Sequence, residues 1–418
     1  MVDTVQARKL ISIEVCDPKV KTDKLINYVT YTIRGQDSDG SFEVVRRYSE
    51  FAKMRDVLLQ RWPGIFIPAL PPKKSMGNME KAFIEERRKF LHKFCEKMGE
   101  IEFLQNSEEY QTFLKKSGEF DKIMAPYLKV NYEEVVGKYS QVFAHLSGKE
   151  LNSDTIAKIG GFKTFLSKMA GFFENFKKLS KSCMDAKKNF YNSFNVLNDL
   201  LLSKYENNVF MEYNGQNDAK NVINDASNFK LHDSIAKLKQ ANDTNSIELV
   251  YFWIKEEDRE IRALLDAIEG RDKVEAAIKK TQDKQKSETS EMQNVLAGKF
   301  GKSSIKAFFT KTSKESQVTQ FESNIQQATK DIESLNMLHD MITLILAYDQ
   351  LDGFKKNKSE RYYQILKRVS SVEQENVEQM KIYWDSIASS DKIKGVQDFN
   401  EQNLLMESQA LEDDQPGN

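Results

Sequence analysis

Arg46-Arg47-Tyr48-Ser49-Glu50-Phe51 ends one run of alternating residues and opens a segment with helical spacing, and the fold of the first quarter of the chain turns on it. Upstream, Leu10-Ile11-Ser12-Ile13-Glu14-Val15, Tyr28-Val29-Thr30-Tyr31-Thr32-Ile33 and Phe42-Glu43-Val44-Val45-Arg46 alternate in the manner of half-buried strands. Asp37-Ser38-Asp39-Gly40 supplies a hairpin turn, so the spacing predicts a three-stranded antiparallel meander. Downstream, Ser49 is placed to cap a helix through Leu59. Ile67-Pro68-Ala69-Leu70-Pro71-Pro72 reads as an extended crossover, and Glu80 to Met98 as an amphipathic helix carrying Phe83, Phe90, Leu91 and Phe94. The result is a small α+β module ending near Ser117.

Three short basic-aromatic clusters lie in that module: Arg46-Arg47-Tyr48-Ser49-Glu50-Phe51, Leu70-Pro71-Pro72-Lys73-Lys74 and Glu85-Glu86-Arg87-Arg88-Lys89-Phe90-Leu91. Guanidinium forks match phosphate oxygens, an aromatic face suits a flat ring, and an ammonium adds a point charge, so the set describes a pocket for one anionic group. Successive strand side chains point to opposite faces, which sets Arg47 apart from Arg46. Taken singly, each is an ordinary surface residue.

The chain has 418 residues, 40% hydrophobic and 30% charged, enough for two or three packed domains, with a formal net charge of -1. That balance lacks the global basic field of a nonspecific nucleic-acid binder, so no nucleic-acid partner is expected. Cys16, Cys95 and Cys183 are odd in number and scattered, with no zinc-ligand spacing, which suits a reducing cytoplasmic setting. Met1 to Gln6 lacks the basic flank and apolar run of a signal peptide, and no uncharged stretch is long enough to span a bilayer. Any membrane contact is therefore expected to be peripheral.

The order of RRYSEF, a proline-rich crossover with its lysine, and Phe83-Ile84-Glu85-Glu86-Arg87-Arg88-Lys89-Phe90-Leu91 closely resembles a PX domain of the sorting nexin family, over residues 1–118. The resemblance implies that Arg47 holds the 3-phosphate of phosphatidylinositol 3-phosphate and that Tyr48 supports the inositol ring. It implies likewise that Lys73 meets the 1-phosphate and Arg87 reads the ring hydroxyls. Arg87 is favoured over Arg88 because it precedes Leu91 by four residues and so turns toward the pocket. Lys74 and Arg88 are the substitutes.

Proline usage divides the chain: six of seven prolines lie at or before Pro126, and the next is Pro416. Such a gap permits long helices. Residues 119–171 are expected to form a helical linker. Within it, 155–171 has the pattern of an interfacial amphipathic helix, with Phe162, Phe165 and Lys168 as candidate membrane contacts and Gly160, Gly161 and Gly171 weakening it in water. An aromatic stripe at helical period equally describes a buried face. Three helical stretches follow, from Phe172 to about Tyr213, Asp218 to about Ala297 with a bend near Asn242 to Ser246, and Glu315 to about Ser389.

By length, order and apolar pattern, 172–390 resembles the elongated three-helix BAR domain of the PX-BAR sorting nexins. That resemblance implies an antiparallel dimer, with itself or with another PX-BAR protein. Its arm tips would carry Lys299, Lys302, Lys306 and Lys311 around Phe308 and Phe309, with no acid between Glu291 and Glu315. Residues 391–418 read as an acidic disordered tail.

Neither a nucleophile motif nor a metal cluster appears, and Leu296 stands where a phosphate loop has its first glycine, so an enzyme is not expected and no cofactor is implied. Together these readings describe a peripheral protein of early endosome membranes. It would recognise phosphatidylinositol 3-phosphate and anionic curved membranes, with retromer or cargo as further partners. The alternative is a cargo or coat adaptor that uses the same surfaces mainly for protein contacts.

Overall fold

The computed structural model describes residues 10–23, 26–73, 80–213, 223–224, 228–241, 245–298, 314–356 and 358–394. Three strands, β1 (Leu10–Asp23), β2 (Ile26–Asp37) and β3 (Gly40–Arg47), pair antiparallel in the order β1-β2-β3. The expected turn closes β2 onto β3 at Asp37 and Gly40, where Gly40 takes a φ of 128° and the Asp39 amide donates to Asp37 Oδ1 at 3.0 Å. Strand β1 runs further than its alternation suggested. Its pairing slips by one residue between Cys16 and Lys19, around Pro18, which has no N–H to donate, and Asp17 takes up the bulge with a φ of 46°.

Helix α1 (Tyr48–Arg61) follows β3 without a gap, and α2 (Lys81–Glu100) and α3 (Glu108–Lys115) complete the module. The start of α1 differs from expectation: the Glu50 carboxylate reaches back to accept from the Arg47 amide at 2.9 Å, so Glu50 rather than Ser49 satisfies the helix terminus. Val15, Tyr31, Ile33 and Val44 from the sheet are buried against Phe51, Met54 and Leu58 of α1 and Phe90, Leu91 and Phe94 of α2. Phe51 sits edge-on to Phe113, with ring centroids 4.9 Å apart.

Beyond the module come α4 (Tyr132–Val142), then α5 (Ser153–Asn198), which continues as wide π turns over Asp199–Tyr213. These are followed by α6 (Phe229–Ala241), α7 (Ser246–Leu296) and α8 (Lys314–Ile345). A π turn at Leu346–Gln350 and the short helix Leu351–Lys356 lead to α9 (Lys358–Ala388). At 1.5 Å per residue the 51 residues of α7 span about 77 Å. Among the described residues no helix is long and apolar enough to cross a membrane.

The chain divides into two compact units, one of residues 1–173 and 256–358, the other of 174–255 and 359–418. In the first, the turn after α1 packs on the long helices at very short range. A Cβ on Gly270 would lie 2.6 Å from the Gly64 amide nitrogen, and one on Gly64, whose φ is +80°, would collide with Ile342. Tyr139 of α4 stacks on Trp62 and donates to the Pro63 carbonyl at 2.6 Å. Burial alone would raise the Glu260 pKa, yet Lys97 and Lys358 hold the carboxyl down to about 2. In the second unit Tyr191, Leu202, Leu231, Leu238 and Tyr383 form a core, and the Tyr383 hydroxyl donates to Asn198 Oδ1.

Helix α5 passes through Phe172 unbroken, and its amino-terminal half buries Ile159, Leu166 and Phe173, seven residues apart. Packing thus overrides the propensity of the three glycines. A Cβ at Gly160, Gly161 or Gly171 would meet nothing within 4 Å. Gly161→Ala is therefore expected to stabilise the protein by about 1 kcal/mol, read as a higher urea midpoint with unchanged slope. An unchanged or lower midpoint would mean that the site needs the bare backbone.

Candidate functional site

The strand pleat decides what the two arginines at the end of β3 do. Arg46 pairs with Tyr31 and turns inward, to 2% exposure. Its Nε and one Nη donate to the Phe113 carbonyl at 3.0 and 2.9 Å, the same Nη donates to the Lys116 carbonyl, and its guanidinium lies over the rings of Phe113 and Phe120. Burial pushes its pKa down, with Glu50 opposing the shift. Arg47 pairs with Thr30 and turns outward; its side chain is 51% exposed and its Nε stands 3.9 Å from Glu50. Only the second is free to meet a ligand.

Tyr48 opens α1, and its hydroxyl donates to the Pro71 carbonyl at 2.5 Å. Arg87, from the inward face of α2, is 7% exposed, with its guanidinium 4.3 Å from the Tyr48 ring centre and 4.4 Å from that of Phe83. One Nη reaches the Pro72 carbonyl at 3.4 Å. Such a cation is held in place by two aromatic rings. Burial raises the Tyr48 and Tyr31 hydroxyl pKa values, and the Arg87 charge pulls both back. Lys73 follows Pro72 directly and is exposed.

The β3–α1 junction, the crossover and α2 therefore bring Arg47, Tyr48, Lys73 and Arg87 to one region of the first unit. Arg88 is committed elsewhere: its Nε and one Nη donate to the Glu85 carboxylate at 2.7 to 3.0 Å and the other Nη donates to the Val15 carbonyl at 2.8 Å, tying α2 to β1. Lys74 lies outside the described residues, as do Lys299, Lys302, Lys306, Phe308, Phe309 and Lys311. On α5, Phe162 meets Phe354 edge-on at 5.7 Å, whereas Phe165, at 47% exposure, and Lys168 face outward. The neighbouring lysines are tied into the unit: Lys158 donates to the Ala347 carbonyl and to Asp352, and Lys163 pairs with Asp272 at 2.7 Å.

Sequence reading missed Arg55 and Phe83. Phe83 was visible as an apolar helix residue, but nothing marked it as the second slab against Arg87. Arg55 bonds two crossover carbonyls, a contact with no local pattern to announce it. Among the described residues no group of His, Cys, Asp and Glu could hold a metal ion.

Residues 35–117 match the PX domain family. The chain is 37% identical to sorting nexin MVP1 of Candida albicans over 94 residues, covering 22% of this chain and 13% of that protein. It is 33% identical to sorting nexin 1 of Arabidopsis thaliana over 116 residues, 26% of this chain and 29% of that one. These matches span less than a third of the relatives' length. Among solved structures, the cryo-EM structure of the SNX-BAR Mvp1 tetramer aligns over 92% of this chain and 100% of its own, with 15% identity and a TM-score of 0.47.

Proposed function

We propose, from the premise that the chain is a sorting nexin with a PX domain at residues 35–117, that it binds phosphatidylinositol 3-phosphate on endosomal membranes and shapes or senses their curvature as a BAR-type dimer. The observation that carries the lipid half is the pairing of a buried Arg87, clamped by the Tyr48 and Phe83 rings beside the crossover, with the outward Arg47. Two guanidinium groups, one fixed and one mobile, suit a ring bearing both hydroxyls and a phosphate. Lys73 adds the charge for the phosphate that links the ring to the lipid. With Arg87 covering one face of Tyr48, an inositol ring would rest against the rest of that aromatic edge.

The dimer half is supported by the helices of the second unit. Phe190, Val196, Leu197 and Leu201 on α5 and its π extension, with Tyr363, Leu366 and Trp384 on α9, are exposed large apolar groups. Apolar surface in such quantity on long helices calls for a partner helix surface, from a second copy or another PX-BAR protein. Two lipid pockets on one dimer would add avidity, and the lysine-rich segment around Lys302 and Lys306 would add charge at an anionic bilayer. Location on the cytoplasmic face of early endosomes, and association with retromer or cargo, follow from the same reading.

Flotation on vesicles containing phosphatidylinositol 3-phosphate tests it. Arg47→Ala is expected to weaken binding by about tenfold or more while leaving the melting temperature within a degree or two of wild type, since the side chain is half exposed. Equal flotation of variant and wild type would overturn the lipid assignment and favour an adaptor working through protein contacts.

A further inference from the structure

The crossover that floors the candidate pocket is held from its other side by a helix more than two hundred positions away in the chain. Arg55, on α1, donates from Nε to the Pro68 carbonyl at 2.8 Å and from one Nη to the Ile67 carbonyl at 3.1 Å. That same Nη donates to Asp266 Oδ2 on α7 at 2.7 Å. Next to these carbonyls, the Phe66 amide donates to Gln350 Oε1 at 2.9 Å. At the far end of the same seven residues, Pro71 takes the Tyr48 hydroxyl and Pro72 takes Arg87. One short segment is therefore pinned to the long helices at Phe66–Pro68 and to the ligand residues at Pro71–Pro72.

Three of those seven residues are prolines, whose φ is fixed by the ring. A displacement at one end is passed along such a strut more than it is absorbed. The Arg55 guanidinium is mostly buried, so it needs a counter-charge in place to hold its fork over two carbonyls. Asp56, next in sequence, is a poorer candidate for that role, because burial raises its carboxyl pKa and the Asp266 charge raises it further, against the pull of Arg55. Asp266 is the carboxylate in contact.

We propose that Asp266 is a positioning residue for the headgroup site, acting through Arg55 and the proline crossover to set the Pro71 and Pro72 carbonyls that hold Tyr48 and Arg87. The inference rests on the lipid reading given above. Its consequence is that the PX pocket is tuned by the helical half of the protein, and by linkage a ligand in the pocket tightens the α7 contact.

Calorimetric titration of the full chain with a soluble short-chain phosphatidylinositol 3-phosphate, run well below the melting temperature, tests this together with hydrogen exchange of α7. Asp266→Asn is expected to weaken binding about threefold to thirtyfold. In wild type the ligand is expected to slow exchange of α7 amides around Asp266, and in Asp266→Asn that response is expected to vanish. A purely structural salt bridge would lower the melting temperature but leave both affinity and ligand-induced protection as in wild type, which would overturn the proposal. Arg55→Lys keeps the charge opposite Asp266 but cannot fork over both carbonyls, so it is expected to weaken binding too, and it serves if Asp266→Asn fails to fold. The Arg47→Ala control separates the two ideas. If it binds as wild type does, the pocket itself is misassigned; if it loses binding while Asp266→Asn and Arg55→Lys do not, only the coupling fails.

Discussion

Arg46→Ala is expected to destabilise the protein by about 3 kcal/mol, although its neighbour Arg47 can be replaced at almost no cost to the fold. The Phe113 and Lys116 carbonyls belong to the last turn and cap of α3, where four carbonyls lack intrahelical donors. Arg46 supplies donors to two of these carbonyls, Phe113 and Lys116, and sets a cation at the negative end of the helix against Phe113 and Phe120. Removing it orphans buried acceptors, at about 1–3 kcal/mol each, and opens a void beside Phe113. The gain from no longer burying a charge offsets part of that, which is why the expected loss is not larger. Urea unfolding followed by fluorescence of Trp62, buried in the same module, reads the change directly. An unfolding free energy within about 1 kcal/mol of wild type would show that the clamp carries no weight.

Gly270→Val is expected to cost a similar amount, about 3 kcal/mol, for a steric reason. In an isolated helix, replacing glycine would help. Here the first added carbon would lie 2.6 Å from the Gly64 amide nitrogen, and backbone atoms cannot swing aside as a side-chain tip can. Gly64 has no room to retreat, because Ile342 is behind it and its φ of +80° suits only glycine. The turn would have to lift off α7. The same urea experiment on Gly270→Val and Gly161→Ala should therefore move in opposite directions, though both replace a helical glycine. A stable Gly270→Val would mean that the turn and α7 do not meet as closely as described.

Local periodicity made the amino-terminal module legible: the strands, their hairpin turn and the split between Arg46 and Arg47 all follow from a two-residue repeat. The four-residue spacing of Arg87 from Leu91 gave its inward face in the same way. What escaped was whatever depends on residues far apart in the chain. The first strand was legible only over Leu10–Val15, yet it runs on past Pro18 with a bulge. The glycines of α5 suggested a helix needing outside help, and Ile159, Leu166 and Phe173 supplied that help from within. Gly270 left only the weak sign of a glycine in an otherwise strong helical pattern, and the Arg55–Asp266 pair left none. The aromatic stripe near 162 was half resolved, with Phe162 against Phe354 and Phe165 outward.

The first unit is assembled from two stretches of chain separated by residues 174–255, and this has a consequence during synthesis. When the first 173 residues have left the ribosome, the surfaces around Gly64, Arg55 and Tyr139 still lack α7 and α8. At typical elongation rates of about 5–20 residues per second, roughly 10–40 seconds pass before the chain reaches Lys358. For that interval the nascent module presents a bare docking face to chaperones and proteases, and its completion cannot precede translation of α7 and α8. Slowing elongation between codons 174 and 358 would lengthen that window and speeding it would shorten it, with no change in the amino-acid sequence.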